Sequence, residues 1–170
     1  MQRLKHLLNR DLTVLLSPVL SGCRSLIGLL WLASLRWKLP PAFAPAAGRG
    51  LHDWLQLEVA HPTLGLYADF VSGVVLPNFT LFAWLTVIIE LAIGLSLAAG
   101  LFTRLGAALG LVWSLNLAVG LLSVPGEWPW SYVMLIMWHG LFLVSTPYQT
   151  WSADAFRLGR AHANKHKGRL

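Results

Sequence analysis

A carboxyl, an imidazole, a guanidinium and an amide, each embedded in an apolar run, are the groups in this sequence best placed to do chemistry. Glu90 stands near the middle of residues 80–102, His139 near the middle of 128–146, Asn116 somewhat outward in 105–124, and Arg24 in the inner half of 12–35. Near the centre of a bilayer a charge costs about 2.5–3.5 kcal/mol on insertion scales, so each such group demands a partner or a task. Desolvation favours a neutral Glu90 that can relay protons, whereas a nearby arginine favours the carboxylate. Arg24 is the expected partner of an ionised Glu90, and the same pair could serve only to fix helix register. A lone membrane histidine such as His139 is more often a hydrogen-bonded packing residue than a ligand, and an amide such as Asn116 more often bonds a neighbouring helix than a substrate.

Other chemistries are excluded by what is missing. There is no dinucleotide glycine fingerprint, phosphate loop, Cys-x-x-Cys pair or zinc-spaced cluster, so no catalytic residue, metal ligand or intrinsic cofactor is assigned. Bis-histidine haem ligation needs a second facing histidine, but His6, His52, His61, His162 and His166 all lie outside the apolar runs. Cys23 is the single cysteine, so an internal disulfide is excluded. It ends a run, Leu20-Ser21-Gly22-Cys23, shaped like a lipoprotein cleavage box. Cleavage there would leave an apolar stub of residues 26–35, about half of the ~20 residues a span requires, so the uncut run is expected.

The elements that must position these groups follow from composition. Of 170 residues, 56% are hydrophobic and 12% charged, against about 25% charged in soluble domains. The expected fold is all-α: one integral membrane domain, a four-helix bundle with spans at about 12–35, 80–102, 105–124 and 128–146. Arg36, Trp37, Lys38 and the Pro40-Pro41 breaker close the first span, and Trp128, Trp130 and Tyr132 open the fourth at headgroup level. Gly94, Gly100, Gly106 and Gly110 suggest close approach of spans two and three.

The net charge of +6 does not point to nucleic acid, because the basic residues sit at the ends of apolar runs. Arg3, Lys5 and Arg10, the short loop at Arg104, and the tail 157–170 place both termini on the cytoplasmic side, with a lipid bilayer as partner. The connection 40–78, with Asp53, Glu58 and Asp69 against Arg49, is then outside. In it Leu51, Trp54 and Leu55 share one helical face, expected to lie flat on the membrane as a lid. Residues 64–76, between Pro62 and Pro77, are short for a span and suit an interfacial or re-entrant helix.

Several of these residues also carry a resemblance. The stretches Phe70-Val71-Ser72-Gly73-Val74-Val75-Leu76-Pro77, Glu90-Leu91-Ala92-Ile93-Gly94-Leu95 with Gly100-Leu101-Phe102-Thr103-Arg104, and Glu127-Trp128-Pro129-Trp130-Ser131-Tyr132 resemble the DoxX/DoxD family, in particular the small membrane subunits of thiosulfate:quinone oxidoreductases. Arg24 and the closing Lys38 of the first span fit the same pattern, and Trp151-Ser152-Ala153-Asp154 resembles its closing Ser/Gly-x-Asp. The family's glycine-rich turn after the fourth span is here Thr146-Pro147-Tyr148-Gln149-Thr150.

The resemblance implies a bacterial inner- or plasma-membrane subunit of a quinone-linked oxidoreductase, with a partner subunit supplying the redox centre. Quinone would then be the ligand. Glu90 and His139 would exchange protons or hydrogen bonds with its head, Arg24 would set the charge of Glu90, and Trp113 and Trp138 would form apolar walls. The alternative is a non-catalytic accessory subunit of a larger respiratory or photosynthetic complex, which nine tryptophans and small-residue helix faces suit equally. Transport of a small solute is a more distant reading.

Overall fold

The computed structural model describes residues 2–145, 152 and 153, with side chains from Leu16 onward. The basic tail and the turn after the fourth apolar run, apart from 152 and 153, lie outside the described residues. Among those described there is no strand. The helices are α1 (Gln2–Ser34), α2 (Leu51–Ala60), α3 (Gly65–Phe70), α4 (Phe79–Ala99), α5 (Thr103–Leu121) and α6 (Pro129–Ser145). Three stretches are long and apolar enough to cross a membrane: Leu16–Trp37, Gly65–Ala99 and Thr103–Leu121. The apolar helix α6 is shorter, at 17 residues.

The long helices pack in chain order, α1 on α4, α4 on α5 and α5 on α6, and α6 touches α1 to close the ring. Ile27, Trp31, Ile93, Leu97, Ala107 and Phe142 fill the space between them. The polarity of this ring is reversed relative to a water-soluble protein. Leu105 and Val144 are 70% and 71% exposed, while Glu90, Ser114 and His139 are 0% exposed. An apolar exterior of this extent is compatible with an integral membrane protein.

The glycines serve three interfaces rather than one. Gly106 of α5 abuts Ser96 of α4, as expected for adjacent spans, but Gly94 faces Leu32 of α1 and Gly110 faces the ring of His139 on α6. Gly100, with φ +66°, ends α4 in a left-handed turn, and the following Leu101 N–H returns to the Ser96 carbonyl at 3.0 Å. That closure is the common glycine-ended helix stop.

The stretch before α4 is not a separate segment. After α3 the backbone runs without interruption through a π turn (Val71–Val75) and a 3-10 turn (Leu76–Asn78) into α4. It is sharply bent, because the rings of Phe70 and Phe82 lie 6.2 Å apart, whereas twelve residues of straight helix span about 18 Å. Pro77 falls at the start of the 3-10 turn, where its missing N–H leaves no helical bond unmade.

Candidate functional site

The bend and α2 together roof a cavity of about 440 Å³ at the end of the ring where α1 finishes and α4 begins. α2 begins at Gly50, whose N–H donates to Asp53 Oδ2 at 2.8 Å, and turns the face of Leu51, Trp54 and Leu55 into the cavity. This face, expected from the sequence to lie flat on the membrane, is turned into the cavity instead. Its edge is fastened by Thr63, which donates to Ser123 Oγ and accepts from the Ser123 N–H, both at 3.1 Å.

Glu90 lines the floor, and its partner is Lys38 rather than Arg24. The ammonium sits 2.6 and 2.7 Å from the two carboxylate oxygens, and Ser34 Oγ donates to Oε2 at 2.9 Å. The indole N–H of Trp113 adds a long contact at 3.5 Å. Lys38 reaches this depth because the chain tightens into a 3-10 turn, Leu35–Trp37, after α1, and the residue capping it turns back into the ring. Only 8% of it is exposed, and its charge also rides 5.0 Å above the Trp37 ring. Arg24, also buried, instead donates through Nη1 to the Leu97 carbonyl near the C-terminal end of α4. The expected Arg24–Glu90 pair therefore does not form, since the two side chains serve different levels of the same helix.

His139 is committed on both ring nitrogens. The Trp31 indole can only donate, so Nε2 accepts from it at 3.1 Å, and the proton is carried by Nδ1, which donates to the Leu135 carbonyl at 2.7 Å. Ser114 Oγ lies 3.4 Å from Nδ1. A side-chain carbon at Gly110 would overlap this ring, so the glycine makes room for it. His139 lies below the cavity, separated from it by Trp31. The wall candidates divide as well: Trp113 lines the cavity, whereas Trp138 stacks on Phe142 with ring centres 5.5 Å apart. Asn116 also lines it and accepts a hydrogen bond from Tyr67 at 3.2 Å. Arg104 is exposed in the first turn of α5, far along that helix from the residues that line the cavity.

Several lining residues were not apparent from the sequence, among them Ser34, Lys38, Tyr67 and Glu58. Glu58 occupies the same α2 face as Leu51, Trp54 and Leu55, and only 8% of it is exposed. Its Oε2 has no hydrogen-bond partner, which costs about 1–3 kcal/mol for a buried polar atom. Burial pushes its carboxyl up to about 7. The signal was periodicity, because position 58 is seven residues after Leu51 and three after Leu55.

These groups form a ladder along α5. His139 lies against Gly110, Glu90 near Trp113, Tyr67 at Asn116, and the Glu58 carboxyl against Gly120, where an added side-chain carbon would come within 2.7 Å of Cδ. From Gly110 to Gly120 the helix rises about 15 Å. Three of the four rungs are saturated by protein partners, and the one at the C-terminal end of α5, Glu58, is not. Among the described residues no cluster of three His, Cys, Asp or Glu could hold a metal ion. No protein-family model, curated protein or solved structure matches the chain.

Proposed function

We propose that this chain is a DoxX/DoxD-like membrane subunit of a quinone-linked oxidoreductase, crossing the bilayer four times with both termini cytoplasmic and binding a quinone head in the outer half of the ring. The single observation carrying the reading is the cavity. Its volume of about 440 Å³ falls within the ~300–1,000 Å³ typical of small-molecule sites. Its walls are indoles and aliphatic side chains, and a few polar groups converge on it: Ser34, Lys38, Glu90 and Asn116 on the helices, Glu58 on the lid. A flat, conjugated quinone ring with two carbonyl oxygens fits that division of surface.

Within this reading Lys38 and Glu90 act on a bound head as a fixed dipole, and α6 supplies the fourth span although it is shorter than the others. The partner subunit brings the electrons, because the chain has no redox group of its own. The deciding measurement is purification of the detergent-extracted complex and assay of its quinone reduction. Loss of turnover in Glu90→Gln, with the complex intact, is the expected result; full turnover in that variant would end the proposal.

A second reading is favoured by the saturation of His139 and Glu90. Groups whose every bond is taken by neighbours hold helices in register, which is what an accessory subunit of a larger complex requires. Recovery of the chain only inside a large pigment- or haem-bearing assembly that works without it would select this alternative.

A further inference from the structure

We propose that Glu58 is the ligand-binding residue of the lid, donating its carboxyl proton as a hydrogen bond to a carbonyl oxygen of the quinone head. The inference rests on the quinone reading above and adds to it the group that engages the head from the outer side.

Around Glu58, the other titratable side chains of the cavity are already engaged. Tyr67 already donates to Asn116, and Tyr132 already donates to Glu127. Glu90 is held by Lys38 and Ser34. Glu58 alone among the carboxyls lining the cavity presents a buried oxygen with no partner, and it does so from an element outside the long helices. Helix α2 brings the carboxyl over the backbone of Gly120, whose missing side chain gives it space. A bound carbonyl would therefore complete the unfilled bond of the lid and fasten α2 over the ligand at once.

The protonation state has support from the surroundings. The titratable groups lining the same cavity are Tyr67 from α3, Tyr132 from α6, Glu127 before it, and Lys38 with Glu90 deeper in. Lys38, the one cation among them, is engaged by Glu90, and Glu127 is a further acid, so no free positive charge holds Glu58 ionised. Burial then favours the neutral acid, which can donate to a carbonyl, whereas the carboxylate cannot.

The test uses the purified full chain in detergent and decylubiquinone as probe. Binding is read from quenching of tryptophan emission, since Trp31, Trp37, Trp54 and Trp113 line the cavity. Wild type is expected to bind with constant affinity below about pH 7 and to lose about tenfold per pH unit above it. E58Q keeps an N–H donor but cannot titrate, so its affinity should not change with pH. Wild type and E58Q sharing one pH profile would overturn the role of Glu58 and leave the quinone reading standing. No quenching of wild type at any pH would overturn both. Should E58Q fail to fold, dicyclohexylcarbodiimide, which modifies protonated carboxyls in apolar sites, decides on wild type alone. Labelling of Glu58 that decylubiquinone slows is the supporting result, and absent or unprotected labelling is the contrary one.

Discussion

Lys38 grips both oxygens of Glu90 inside a ring whose exterior is apolar, and both side chains are buried, so each charge depends on the other. Removing one partner leaves the other buried and alone, which costs about 3–5 kcal/mol, whereas replacing both by apolar groups of similar size is near neutral. Lys38→Met is therefore expected to lower the thermal midpoint of the detergent-solubilised protein sharply, and the Lys38→Met/Glu90→Leu double variant to recover most of the loss. Glu58 makes a prediction with the opposite logic. Its folded carboxyl titrates at about 7 against 4.5 for the free group, so the folded state holds the proton more tightly. Its contribution to stability is present in full below about pH 4.5, declines as pH rises toward 7, and is lost above, a change of order 3 kcal/mol. Thermal melts across that window should slope for wild type and lose this slope in Glu58→Gln.

The elements differ in how much room they leave. Gly120 and Gly110 are positions where one helix accommodates a polar side chain from another, at the lid and at α6 respectively. Gly120→Ala should push the Glu58 carboxyl off α5 and loosen α2, read as faster hydrogen exchange across Leu51–Ala60 with α4 and α5 unchanged. Gly110→Ala should displace the His139 ring from Trp31 and cost about 1–3 kcal/mol by overpacking. Much of this architecture was legible beforehand, because blocks of leucine, valine and alanine announce long helices and their few polar interruptions must face inward. Arg24, Glu90 and His139 are indeed all buried. What could not be read was which cation meets which acid. Lys38 looked like an ordinary basic flank, since nothing in the sequence marks the tight turn that carries it inward. Glu58 looked like an outer acid in water, since the roof that buries it is made by a bend at residues 71–78. Pro77 misled for a related reason: a proline reads as a break, but in the first turn of a helical element it needs no N–H.

At the scale of the whole molecule, the apolar exterior and the basic ends lead to the proposed orientation. A fluorescent reporter joined after Leu170 should fold and emit on the cytoplasmic side, and an export-dependent phosphatase at the same site should stay inactive; the reverse pattern would invert the topology. The chain should also precipitate when detergent is removed, because many large apolar side chains, Leu66, Leu105, Trp128 and Val144 among them, are exposed. The pairing of α1 with α4 has a further consequence, for how the protein is made. Arg24 and Lys38 emerge from the ribosome on the first long helix, and their acceptors, the Leu97 carbonyl and Glu90, are synthesised 73 and 52 residues later. Until then two cations lack their final acceptors, so the nascent first segment should linger beside the insertion machinery and move into lipid only once α4 arrives. Truncated chains ending before Phe79 should accordingly crosslink to the translocon, and chains extending past Ala99 should be released.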